Sequence, residues 1–226
     1  MKFGVLFSGG KDSCLALLKA MGRGEVKCLI SIFSSNPESY MFHVPNIYLT
    51  ELQSKSMGIP LLKRDTKGIK EKELIDLESA IKEAIEKYGI DTLVTGAIKS
   101  NYQKKRIEDI CRKLEIECFN PLWHKDEIGI LKEVVEQEFE VIISGVFAYP
   151  LDESWLGKRI DEQTIEKLKE FMEKFKISPV GEGGEIETNV LDTPFFKQKI
   201  KIIEWEKKWE GNSGVFLIKK AKLVQK

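Results

Sequence analysis

The chain has 226 residues, of which 42% are hydrophobic, 32% charged and 9% aromatic. That is enough for one large or two small domains with a full apolar core, so no disulfide or metal staple is required. Its 36 Lys and Arg balance its 36 Asp and Glu, which argues against a protein that binds nucleic acid by overall charge. No apolar run approaches the ~18 residues of a membrane helix, and the first residues reach a Gly-Gly-Lys-Asp cluster too soon for a signal peptide. A soluble cytoplasmic protein with no membrane partner is expected.

Residues 2–8 predict a short apolar strand ending in glycines, followed by a helix over 12–21. Residues 26–33 predict a second apolar strand. A loop at 34–46 carries Pro37, His43 and Pro45. A helix is expected at 48–57 and a short strand at 60–63. The clearest helix covers 71–88, where Leu74, Leu77, Ile81, Ala84, Ile85 and Tyr88 recur at helical spacing. A strand at 91–95, a helix at 101–114 and a strand at 116–119 follow. Strands alternating with helices imply parallel pairing through right-handed crossovers. Residues 1–122 therefore read as an α/β domain with a doubly wound parallel sheet, Rossmann-like in character.

The remainder differs. Helices are expected at 126–137 and 161–174 and a strand at 140–145. The chain ends as an antiparallel hairpin, 199–209 and 215–223, around a Gly211-Asn212-Ser213-Gly214 turn. Residues 123–226 read as a smaller α+β domain, with core roles for Trp205 and Trp209. From Lys199 onward there are 8 Lys and 3 Glu, a local charge of +5 against −5 for the rest. A solvated strand face is the simpler reading; a face for nucleic acid or an acidic partner is the sharper one. The cysteines Cys14, Cys28, Cys111 and Cys118 form no C-x-x-C pair and fit no zinc spacing, and the first three sit among apolar residues as buried thiols do.

The strongest chemical signal is Ser8-Gly9-Gly10-Lys11-Asp12-Ser13, at a strand-to-helix junction. Paired glycines let the backbone turn tightly and approach a ligand. The helix start offers free N–H groups and the positive dipole end, an anion site. Ser8 and Ser13 add hydroxyls, and Lys11 adds a charge read as exposed. Asp12 repels phosphate unless it binds magnesium or caps the helix. The sequence is neither a Walker A loop nor a G-x-G-x-x-G turn.

Two further segments stand out. Thr95-Gly96-Ala97-Ile98-Lys99-Ser100-Asn101-Tyr102-Gln103-Lys104-Lys105-Arg106 leaves a strand and opens a helix, the strand end where open α/β sheets bind ligands. Gly96 would allow close approach of a nucleotide. Tyr102 and Arg106 share a helix face, with Gln103 within one turn, and Arg106 could grip a phosphate with two N–H groups or lie solvated beside Lys104 and Lys105. The second segment, Glu182-Gly183-Gly184-Glu185-Ile186-Glu187-Thr188, gathers three carboxylates in six residues. Such clustering is unfavourable unless a cation or protonation relieves it. Either these are solvated loop acids or they face a cationic group, with Tyr149 and Trp155 as aromatic faces. His43 could contact phosphate or shuttle a proton, or be structural; His124 reads as structural.

The Ser8–Ser13 loop resembles that of the N-type ATP pyrophosphatases, which cleave ATP to AMP and pyrophosphate. With T-G-A-I-x-S-x-Y-Q at 95–103, E-G-G-E-x-E-T at 182–188, Pro121-Leu122-Trp123 and Trp155-Leu156-Gly157, the chain resembles the diphthine–ammonia ligase family over nearly its whole length. Ile186 stands where an aromatic residue is common. The resemblance implies a loop that holds the pyrophosphate end of ATP, with Lys11 and Asp12 catalytic and Asp12 on magnesium. It implies adenine at the second strand's tip, near Ile32, Phe33 and Ser34, and nucleotide contacts from Gly96, Ala97, Tyr102, Gln103 and Arg106. It implies a substrate site from His43, Glu182, Gly183, Gly184, Glu185, Glu187 and Thr188. The cofactors are then ATP and magnesium, and the partners translation elongation factor 2 as protein substrate and ammonia. Nucleic acid is not expected, and a homodimer is left open. Two alternatives remain: an RNA-modifying thiolase of the same superfamily, which needs paired cysteines and a basic face, and a nucleotide-binding sensor without turnover.

Overall fold

A computed structural model of the protein describes residues 1–36, 45–69 and 71–226. The chain divides into two compact units, residues 1–8 with 12–123, and residues 9–11 with 124–226.

The first unit alternates β1 (Lys2–Leu6), α1 (Lys11–Met21), β2 (Glu25–Ser34), α2 (Leu49–Met57), β3 (Leu61–Thr66), α3 (Glu73–Tyr88), β4 (Thr92–Val94), α4 (Asn101–Lys113) and β5 (Glu117–Phe119). The five strands form one sheet in the order β3-β2-β1-β4-β5, and every pairing is parallel. Phe3, Val5, Leu29, Ile30 and Leu93 are buried, as expected of strands covered on both faces. Leu77, Ile81 and Ala84 of α3 and Ile107, Ile110 and Cys111 of α4 pack with β2 and β4 into one apolar cluster. Helix ends follow local chemistry. Gly89 stops α3 in the left-handed conformation, and Ser100 caps α4 by accepting from the Gln103 N–H. The strand order reverses between β1 and β4, and the carboxyl ends of strands at such a point form the crevice where doubly wound sheets bind ligands.

The second unit contains α5 (Glu127–Glu136), β6 (Glu140–Val146), α6 (Glu162–Phe175), β7 (Ile186–Asp192), β8 (Lys199–Glu210) and β9 (Ser213–Val224). Its sheet runs β7-β6-β9-β8 and is antiparallel. Asp126 and Asp161 cap α5 and α6 through the N–H groups of Gly129 and Thr164. The second of these bonds holds the Asp161 carboxyl below its ordinary range. No described helix is long and apolar enough to cross a membrane.

The expected parallel domain and smaller α+β domain are both present. Three local expectations change. β3 runs on to Thr66, because Lys63, Arg64, Asp65 and Thr66 continue the ladder with residues 31–34 of β2. β7 was not expected as a strand: its Thr188 and Asn189 are buried polar residues and break the apolar alternation that marks a strand. Trp205 is 53% exposed, so it is not a core residue; it stacks on Phe216 at 4.9 Å between ring centroids.

Candidate active site

The Ser8–Ser13 segment is the turn from β1 into α1, and Gly9 takes a φ of 78° there, a conformation that favours glycine. Within the first unit, Ser8 Oγ donates to Ser13 Oγ at 3.2 Å. Gly96 packs against this turn from the end of β4. A Cβ on Gly96 would stand 2.9 Å from the Asp12 carbonyl carbon and 3.0 Å from the Ser13 nitrogen. The lack of a side chain at 96 therefore serves the close approach of two backbones, where the sequence suggested approach to a nucleotide. Beside it, Ala97 donates its N–H to Thr95 Oγ1 at 3.3 Å, and Thr95 Oγ1 bonds Asn120 Oδ1.

Residues 9–11 group with the second unit, and their bonds show why. Val190 of β7 donates its N–H to the Gly9 carbonyl at 3.0 Å. Lys11 donates its backbone N–H to Thr188 Oγ1 at 3.2 Å and its ammonium to the Val180 carbonyl at 2.5 Å. Lys11 is only 2% exposed, which corrects the expectation of an exposed charge. Its ammonium is fixed in a place of low dielectric, where a charge acts more strongly than in water.

The 182–188 segment is a tight loop leading into β7. Gly181 has a φ of 79°, and a Cβ there would meet the Ile186 carbonyl oxygen at 2.3 Å. Glu185 turns back on the loop: Oε1 accepts from the Ser178 N–H and Oε2 from the Gly183 N–H, both at 2.9 Å. Its carboxylate thus holds the loop's shape. Glu182 and Glu187 are half-buried, and Gly183 and Gly184 are exposed. Of the two aromatic faces considered for a cation, Trp155 is buried and already has the Lys158 ammonium over its ring at 4.7 Å. Tyr149 is largely exposed.

In the first unit, Ile32, Phe33 and Ser34 end β2 opposite Arg64, Asp65 and Thr66 of β3. Phe33, Ser34 and Ser35, with Asp65, Lys67 and Ile75, line a cavity of about 670 Å³. Tyr102 and Arg106 share their helix face as expected, but both meet Glu71. Arg106 Nη2 lies 2.6 Å and the Tyr102 hydroxyl 2.9 Å from Glu71 Oε1, and the guanidinium sits 3.4 Å from the Tyr102 ring centroid. Partial burial and the bond to Glu71 hold the Tyr102 phenol above its ordinary range. Sequence reasoning missed Glu71 because no motif contains it. Gln103 donates its N–H to the Ser100 hydroxyl. His43 lies outside the described residues.

The cysteines carry a contact that spacing conceals. Cys111 and Cys118 hydrogen-bond each other, which lowers the Cys118 thiol and raises that of Cys111. Burial pushes Cys28 up to about 12 and raises Cys14 as well. No group of three or more His, Cys, Asp or Glu able to hold a metal occurs among the described residues. Magnesium commonly needs one or two carboxylates plus substrate phosphates, so Asp12 fits the part of a single protein ligand to a nucleotide-borne ion.

A parallel doubly wound sheet with a glycine turn opening its first helix defines a two-unit protein, a doubly wound α/β unit and an antiparallel α+β unit. Residues 1–118 match the family model of the diphthamide synthase N-terminal domain, and residues 126–224 that of the C-terminal domain. Diphthine–ammonia ligase of Danio rerio is 32% identical over 218 residues, covering 87% of this chain and 84% of the relative. That of Homo sapiens is 32% identical over 220 residues, covering 88% and 82%. A solved Methanocaldococcus jannaschii protein, described as a predicted tRNA methyltransferase subunit, covers 86% of this chain and 98% of its own. Its identity is 19% and its TM-score 0.45, a likeness too slight to bear on function. The chain belongs to the diphthamide synthase family.

Proposed function

We propose that this chain is an ATP-dependent carbon–nitrogen ligase that converts diphthine on translation elongation factor 2 to diphthamide, using free ammonia, in the cytoplasm. The observation that supports it most is the Ser8–Ser13 glycine turn from β1 into α1, in a chain related over most of its length to diphthine–ammonia ligases. One oxygen of the substrate carboxylate attacks the α-phosphorus of ATP. The bond from that phosphorus to the bridging oxygen breaks, and pyrophosphate leaves toward the turn. Ammonia then attacks the acyl carbon of the resulting adenylate, loses a proton, and AMP departs.

In this reading the N–H groups at the start of α1, with Ser8 and Ser13, bind the departing pyrophosphate. The Lys11 ammonium, held in place by its bond to the Val180 carbonyl, offsets the growing negative charge through its field in a place of low dielectric. Asp12 is the residue that would hold magnesium, an ion that would neutralise phosphate charge when bound. The cavity beside Phe33 and Ser34 takes the adenine. Arg106 reaches a phosphate only by leaving Glu71. Glu182 and Glu187 face the cationic diphthine, and Glu185 shapes the loop that carries them.

The test is mass analysis of diphthine-bearing elongation factor 2 after incubation with ATP, ammonium and this protein. Conversion of the carboxylate to the amide, with AMP and pyrophosphate in equal amounts, is expected. ADP and phosphate as the only nucleotide products would overturn the reading.

A further inference from the structure

We propose that one face of the β8–β9 ribbon is a docking surface for an acid-rich patch on the protein that carries the substrate, an inference that rests on the ligase reading above. In the ribbon's register Lys201 stands directly opposite Lys222. Lys199 and Lys220 lie two residues away on their own strands, and side chains two apart on a strand share a face. All four lysines are exposed. Like charges placed opposite each other weaken a strand pair, so the arrangement opposes the hairpin's own stability. Neighbouring lysines differ: Lys208 and Lys219 both pair with Glu206, and Lys226 pairs with Asp192. The four facing lysines form no ion pair among the described residues; Glu204 lies opposite Lys220 in the register. β9 meets β6 at two rungs, Gly145 with Val215 and Val146 with Gly214. The lysine-bearing half of the ribbon therefore extends beyond that pairing, with β8 as the sheet edge.

Three features favour an acidic protein over a nucleic acid. The segment from 199 to 226 contains no arginine, the residue favoured where phosphates are gripped by paired N–H groups. The remainder of the chain carries −5, which repels a polyanion extending past the ribbon. Ile203 and Trp205 of the same strand β8 are exposed, and an exposed tryptophan is a common anchor of protein interfaces. The ribbon then steers the substrate protein by charge, an effect on encounter that salt screens.

The experiment compares the wild-type protein with a variant carrying Lys199→Ala, Lys201→Ala, Lys220→Ala and Lys222→Ala. Diphthine-bearing elongation factor 2 is titrated at low and high salt, with ATP affinity measured by calorimetry. The KM for the protein substrate should rise about tenfold, since exposed ion pairs are individually weak and act together. The kcat and ATP affinity should be unchanged, and the variant's KM should lose most of its salt dependence. A second variant, Lys201→Glu, places opposite charges across the ribbon; it should melt no lower than wild type and still show a raised KM. An unchanged KM in both variants overturns the docking surface. So does an unchanged KM with lost binding of a single-stranded RNA oligonucleotide, which would make the face a nucleic-acid site. A wild-type protein that leaves the elongation factor unmodified overturns the ligase reading, and the docking inference with it.

Discussion

At the scale of single residues, Lys11 and Cys118 are where the structure most alters what the sequence suggests. A lysine between a glycine pair and an aspartate reads as a solvated charge waiting for phosphate, yet Lys11 is buried with its ammonium on the Val180 carbonyl. Nothing in the sequence announces that partner, because a backbone carbonyl is offered by every residue. Lys11→Ala is therefore expected to act twice. Adenylation should slow by ~10²–10³, as when one charge-stabilising donor is lost. The fold should also lose about 1.5–3 kcal/mol, the worth of a hydrogen bond to a charged group. Single-turnover AMP formation and thermal melting check the two effects; a variant with wild-type melting would show that the Val180 bond adds nothing. Cys118 is the thiol whose pKa is lowered, by the Cys111 and Asn120 hydrogen bonds. Near neutral pH it should carry the largest thiolate fraction of the four cysteines. Iodoacetamide with mass mapping should label it ahead of Cys14 and Cys28, and equal labelling would remove the assignment.

At the scale of elements, strands and helices of the first unit were legible because each carries one physical signature. β1, β2 and β4 are apolar runs bounded by turns, and α3 repeats its apolar residues at helical spacing. β7 was illegible because Thr188 and Asn189 face the interior, where their polar groups find partners, so hydrophobic alternation fails. The same limit applies to Gly96. Its place at the end of a strand was readable, but its reason, the 2.9 Å that a Cβ would leave to the backbone of Asp12, required the fold. Gly96→Ala should thus push the start of α1 away from β4, at the roughly 1–3 kcal/mol typical of overpacking. ATP affinity should fall with it, because the N–H groups proposed to bind phosphate would move. Calorimetric titration with ATP, read beside the melting temperature, separates the two. Unchanged ATP affinity in a folded variant would place the phosphates away from this turn.

At the scale of the whole molecule, the boundary between the units does not follow the chain. The sequence suggested a cut near residue 122, since the helix–strand alternation ends there. Residues 9–11 nonetheless belong with residues 124–226, through Gly9 to Val190 and Lys11 to Thr188 and Val180. These contacts span some 170 residues of sequence and leave no local trace. The second unit produced alone, as residues 124–226, therefore lacks three hydrogen bonds that it has in the intact chain. Two of them are ordinary bonds worth about 0.5–1.5 kcal/mol each and the third involves a charged donor, so the isolated fragment should be less stable by a few kcal/mol. That is a large share of the ~5–15 kcal/mol that holds a typical domain together. Hydrogen exchange gives a site-specific reading. The Val190 N–H should be strongly protected in the full chain and exchange far faster in the fragment, while the Ile218 N–H, whose strand β9 lies wholly within the fragment, should keep more of its protection. Equal protection of Val190 in the two proteins would mean that the strand finds its hydrogen-bond partner without residues 9–11, and that the glycine turn is not part of the second unit's fold.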